Sequence, residues 1–181
     1  MGGHDSYSTT AARRLRTLHD ELLEPPRRPT DGMPRPTAVT APAPINLDAL
    51  DYIEAAAHEV IARTYTAVPT AGPAPRTPEA VYAWAEQATA HLDAERRKQH
   101  EALVVRQGFE HAIRAGNEAV VRREPCPRCY CWGLFWSHHA KIATCVNKRC
   151  ATKTGRASRW TLQQLAEHHV ARKAAALQDA T

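Results

Sequence analysis

The sequence predicts a mainly α-helical chain with a small C-terminal β lobe, an α+β arrangement preceded by a disordered Pro-rich N-terminal segment. Three observations carry that expectation. All five cysteines of the 181 residues fall between positions 126 and 150. Apolar residues recur at helical spacing on either side of that window. Residues 25–44 hold seven prolines and almost no large apolar side chain, too little to offset the entropy of ordering them. The chain divides accordingly into a tail and linker (1–44), a helical region (45–117), the cysteine-bearing lobe (118–160) and a C-terminal helix (161–181).

Taken in order, a short helix is expected from about Thr10 to Glu24, with Leu15, Leu18 and Leu22 on one face and Arg13, Arg14 and Arg16 on the other. It reads first as a docking helix and second as a basic arm. A helix from Leu47 to Thr64 starts at the N-cap Asn46, carries Asp48 and Asp51 near its positive end, and shows an apolar stripe of Leu47, Leu50, Ile53, Ala57, Val60 and Ile61. The next begins at Thr77-Pro78-Glu79, with the cap hydroxyl first and proline where its missing N–H does no harm. It runs either unbroken to about Ala115 or as two helices broken near Lys98, inside the polar run 93–101. Gly116-Asn117 is a suitable stop. His58, His91, His100 and His111 lie on these helices without a metal-binding spacing, and are read as surface or interface residues. So few aromatics make a thin core, which self-association or docking on the β lobe would complete.

Ala119–Arg123 reads as a strand, and Trp132–Trp136 and Lys141–Cys145 as a hairpin turning around Ser137–Ala140. Together they would make a three-stranded ribbon. The last helix is signed by a capping box, Thr161 with Gln164, and a hydrophobic staple, Trp160 with Leu165.

Cys126 and Cys129 form a C-x2-C pair, and Cys145 and Cys150 a C-x4-C pair fifteen residues further on. Two tight turns each place two sulfurs on one edge of a tetrahedron, and a hairpin between them joins the edges. The expectation is one structural Zn²⁺ held by Cys126, Cys129, Cys145 and Cys150, in a small zinc ribbon. Cys131 is the odd thiol: it would either replace Cys129 or stay free beside the metal. The residue after the second cysteine of such a turn is usually glycine, because the backbone is left-handed there; here it is Tyr130. His138 and His139 fall at the hairpin tip, far from the turns.

Four thiolates leave no open coordination position, so the metal is expected to be structural rather than catalytic. The sequence has no P-loop, no G-x-G-x-x-G, no G-x-S-x-G and no kinase set. A His-Asn-His nuclease would need a histidine soon after Asn147, and none follows before His168. TLQQLA suggests a helix-turn-helix start, but no glycine turn follows it. The expectation is a non-enzymatic protein. No apolar stretch approaches membrane-spanning length, and the clustered cysteines suit a reducing, cytoplasmic compartment.

The formal net charge of +5 is unevenly placed. Residues 118–181 hold eleven Lys/Arg and four Asp/Glu, a net +7, against −2 for residues 1–117. A four-thiolate zinc unit carries −2 and lowers the C-terminal part to about +5. Arg128, Lys141, Lys148, Arg149, Lys153, Arg156 and Arg159 surround the ribbon, with Tyr130, Trp132 and Trp136 among them. Cations meet phosphates and aromatic faces stack on bases. The partner expected is therefore DNA or RNA bound without strong sequence preference. The alternatives are tryptophans that form ribbon core, and a protein–protein adaptor whose helices dock a partner.

The motif C-P-x-C…I-x-x-C-x-N-x-x-C (126–150), followed by Thr154-Gly155, resembles the zinc ribbons attached to bacterial topoisomerases and transcription factors. The layout as a whole is similar to zinc-ribbon proteins of actinobacteria and their phages that have no assigned activity. The shared features are a Pro-rich start, A-P-x-P-I-N-x-D-A-L (41–50), a helix rich in Trp and Ala, the ribbon, and W-T-L-x-x-L-A (160–166).

Overall fold

A computed structural model describes residues 6–23 and 46–179. The Pro-rich stretch lies outside them, and so does its expected disorder. The described residues form six helices and one small antiparallel sheet near the C-terminus: α1 (Tyr7–Leu23), α2 (Leu47–Ala67), α3 (Pro78–Thr89), α4 (Ala94–Arg114), α5 (Ala119–Arg122), β1 (Leu134–Ser137), β2 (Ile142–Cys145), β3 (Arg159–Trp160) and α6 (Leu162–Gln178). No helix among them is long and apolar enough to cross a membrane.

Local chemistry explains most helix boundaries. Asn46 caps α2, its side-chain oxygen accepting the Ala49 N–H at 3.2 Å. Pro78 opens α3, although the Thr77 side chain makes no capping bond. The segment 78–115 is two helices, and the break falls earlier than Lys98. Asp93 accepts the Arg96 N–H at 2.9 Å and starts a new helix there, so residues 93–99 of the polar run become its exposed start. Gly116 takes φ 74°, and the Asn117 N–H returns to the Ala112 carbonyl, which ends α4. The full capping box at Thr161 starts α6. α6 then runs unbroken to Gln178, which leaves no helix-turn-helix.

The expected strand at 119–123 is instead α5, and the third strand is β3. Successive strand residues face opposite sides, yet Val120 and Val121 are both buried in the same apolar cluster. One helical turn puts both side chains there; a strand cannot. β1 pairs with β2 from Leu134 opposite Cys145 to Ser137 opposite Ile142, and β2 pairs with β3 through Ala143–Trp160 and Thr144–Arg159.

α4 is the wall between two cores. On one side Leu103 and Val104 join Ala11, Leu15 and Leu18 of α1, Ile53 and Val60 of α2, and Val81 and Tyr82 of α3. On the other, Val105, Phe109 and Ile113 join Val121, the inward ribbon residues Leu134, Trp136 and Ala143, and Leu165 and Val170 of α6. The thin helical core is thus completed by α1 and by the ribbon. His58 and His91 are exposed, whereas His100 and His111 are buried.

The buried polar groups between α2, α3 and α4 form a closed network. The Tyr82 hydroxyl donates to Gln107 Oε1 at 2.7 Å and lies 2.7 Å from His111 Nε2. Its one proton goes to the amide oxygen, which has none, so Nε2 carries the imidazole proton and donates to Tyr82. His111 Nδ1 then accepts from Tyr52 at 2.8 Å. Gln107 Nε2 donates to the Ala56 carbonyl at 3.0 Å and to Glu59 at 2.9 Å. Within this network every donor and acceptor is paired, whereas the buried His100 Nε2, Trp136 Nε1 and Trp160 Nε1 elsewhere have no partner among the described residues.

Candidate metal centre

The two cysteine turns fold as tight hydrogen-bonded knuckles. In the first, the Tyr130 N–H returns to the Cys126 carbonyl at 2.8 Å, and the Cys126 N–H to that of Cys131 at 3.0 Å. Tyr130 adopts φ 58°, the left-handed conformation this position demands, without being glycine. In the second, Asn147 makes the turn: its side-chain oxygen accepts the Arg149 N–H at 3.0 Å, and its carbonyl accepts that of Cys150 at 2.8 Å.

These turns and the register that sets Cys145 opposite Leu134 bring four thiols together. The sulfurs of Cys126, Cys129, Cys145 and Cys150 all lie within 4.8 Å of one another. Cys126 and Cys150 are 3.7 Å apart, as are Cys129 and Cys145. A tetrahedron with metal–sulfur bonds of about 2.3 Å has edges of about 3.8 Å. The donor set therefore fits one tetrahedral thiophilic ion. Cys131 is exposed and stands outside the cluster; its sulfur accepts from Asn147 Nδ2 at 3.4 Å. The same amide lies 3.8 Å from Cys129 Sγ, and Ser158 Oγ lies 3.3 Å from Cys150 Sγ. Such outer hydrogen bonds fix sulfur orientation. The Cys131 backbone N–H, helped by neighbouring thiols, holds the Cys129 thiol down to about 6, whereas burial pushes Cys145 up to about 12. Crowded thiols cannot all ionise by themselves, and a divalent cation removes that conflict.

The surface residues singled out in the sequence take several positions. Lys148 and Arg149 ride on the second knuckle, and Lys153 and Arg156 on the turn enclosed by the Ala151–Ala157 bridge; all four are exposed. Arg159 points outward from β3, opposite Thr144. Exposed Arg128, on the first knuckle, donates to Ser158 Oγ at 3.4 Å. Tyr130 and Trp132 are 64% and 63% exposed, whereas Trp136 is buried ribbon core. Tyr130 also lies against the His168 ring of α6, centroids 5.6 Å apart. Lys141 sits at the hairpin tip, four residues before Cys145 and so roughly 13 Å along the strand from the knuckles. His138 and His139 are exposed at that tip, and His138 is bonded to Glu118.

Phe135 and Val146 were not singled out. They are 54% and 60% exposed; Phe135 faces outward from β1, and Val146 directly follows β2. The strict alternation of LFWS, with Leu134 and Trp136 inward, is the signal that places Phe135 outside. No known protein family, curated protein or solved structure matches this chain.

Proposed function

We propose that this chain is a non-enzymatic zinc-ribbon protein that binds DNA or RNA through its ribbon. Zinc is the proposed ion because four thiolates in a closed tetrahedral set suit Zn²⁺ and leave no open position for chemistry. One observation carries the nucleic-acid reading: Tyr130 and Trp132 stay more than 60% exposed on a lobe where Arg128, Lys148, Arg149, Lys153, Arg156 and Arg159 are also exposed. Exposed rings are available to stack on bases, and cations around them neutralise phosphates. Lys141, at the far end of the hairpin, belongs less closely to this surface than the other cations.

The test is binding of the zinc-loaded protein to single- and double-stranded DNA, and to RNA, across a salt series. Affinity should fall steeply as salt rises, and Arg149→Ala or Lys153→Ala should each lower the log–log slope by about one. Absence of binding at low salt to all three would reject the reading.

An adaptor role is the second reading; the exposed apolar side chains of Phe135 and Val146 favour a version in which the ribbon, rather than the helices expected from the sequence, meets the partner. It predicts that Phe135→Ser abolishes capture of a protein partner while leaving any salt-dependent nucleic-acid binding in place.

A further inference from the structure

A cleft of about 240 Å³ opens between α1, α4, α5 and α6, lined by none of the four clustered thiols. Three side chains from three different segments bring cations to it: Arg14 of α1, Arg123 just past α5, and Lys173 of α6. None of the three forms an ion pair among the described residues. Arg14 donates one Nη1 bond to the Gly108 carbonyl at 3.0 Å, and Lys173 Nζ stands 4.4 Å above the Tyr7 ring.

The acids nearby are engaged elsewhere. Glu124 lines the cleft, but its two oxygens are held by His169 Nδ1 at 2.9 Å and Arg172 at 3.4 Å. Glu101 lies outside the cleft and is paired with Arg97 at 3.9 Å, with a weaker attraction to Lys173. The three cations thus line one small cleft with a single carboxylate, Glu124, whose two oxygens are already bonded. Burial first, and then the charge of Arg13, lowers the pKa of Arg14; Glu124 opposes that shift and Arg123 adds to it more weakly. The hydroxyls of Tyr7 and Thr10 also line the cleft and add neutral donors.

We infer that the cleft among Arg14, Arg123 and Lys173 is an anion site that takes a doubly charged tetrahedral oxyanion, either free phosphate or a phosphomonoester. The Arg14 guanidinium keeps donors beyond the one spent on Gly108, and two flanking cations match a charge of −2 better than that of chloride. This inference does not rest on the function proposed for the ribbon.

The experiment is calorimetric titration of the full chain with inorganic phosphate, with adenosine 5′-monophosphate and with chloride, at matched ionic strength. Phosphate should bind and chloride should not. Lys173→Gln and Arg123→Gln should each weaken phosphate about tenfold or more, as loss of a charge-assisted contact does. Lys153→Gln on the ribbon should leave it unchanged. Both cleft variants change side chains with access to solvent, and circular dichroism confirms their fold. A phosphomonoester that binds at least as tightly as phosphate assigns an organic ligand; one at least tenfold weaker assigns the free anion. Phosphate no tighter than chloride, or unchanged in the Arg123→Gln/Lys173→Gln double variant, overturns the inference.

Discussion

Acidification should weaken the helical body through His111. Its side chain is fully buried, with both ring nitrogens engaged by tyrosine hydroxyls. Burial first, and then the positive charges of Arg14, Arg106 and Arg114, depress its pKa from 6.5 to about 3. In the unfolded chain the ring titrates near 6.5. Between those values the unfolded state binds a proton that the folded state refuses. The neutral-state contribution is complete above about pH 6.5 and is lost as the pH falls toward 3, at about 1.4 kcal/mol per pH unit. At pH 5 the loss from this one group is about 2 kcal/mol. Protonating Nδ1 would also turn the acceptor of the Tyr52 bond into a donor, so the network cannot simply absorb the proton.

The assay is urea unfolding followed by far-ultraviolet circular dichroism at pH 7.5, 6 and 5, in parent and His111→Gln. His100 and His168 also have lowered pKa values and lose stability with the same sign. The difference between parent and variant isolates His111. The parent should lose about 2 kcal/mol more than the variant on going from pH 7.5 to 5. A nuclear magnetic resonance titration of the His111 ring reads the same quantity without unfolding. A folded-state midpoint near 6, or equal slopes in parent and variant, would refute the reasoning.

Three further outcomes follow from the same structure. Tyr82→Phe strands Gln107 Oε1 and the His111 Nε2–H in a dry core, and should lower unfolding stability by about 2–4 kcal/mol in the urea assay. Gly133→Ala should lower the melting temperature of the metal-loaded ribbon and speed metal loss to a chelator, because Gly133 has φ 109° and a Cβ there would stand 2.9 Å from Val146 Cγ2. Chelation should abolish the near-ultraviolet signal of Trp136 and speed hydrogen exchange in α6, while α2 and α3 keep their protection; the apolar cluster that contains three of the four candidate ligand cysteines includes Leu165 and Val170 but no residue of α2 or α3.

The sequence spoke clearly where local chemistry decides. Cysteine spacing found the four sulfurs that come together, and side-chain caps found the starts of α2 and α6. It misled where tertiary packing decides. The two valines at 120 and 121 favour strand by propensity, and only the core beside them selects a helical turn. Asp93 as a cap was hidden inside a polar run whose other members gave no signal. The Tyr52–His111–Tyr82–Gln107 network joins three helices through residues that are unremarkable along the chain, so no sequence pattern announces it. Trp132 and Trp136 are four residues apart and chemically alike, yet only Trp136 falls inside the strand alternation that buries it.

The position of α4 explains why metal loading and helical order belong to one problem. Residues 102–105 are four consecutive buried positions, which no single helix face accommodates. They are buried because Leu103 and Val104 meet one core while Ala102 and Val105 meet the other. The ribbon supplies much of that second core through its inward residues Leu134, Trp136 and Ala143, directly joined to the buried cysteines. Metal binding that orders the ribbon therefore also finishes the second wall of α4. Phe135, on the outward sheet face, and Val146 contribute nothing to this packing. Only the inner face of the sheet meets the helices, and Phe135 on the opposite face stays exposed.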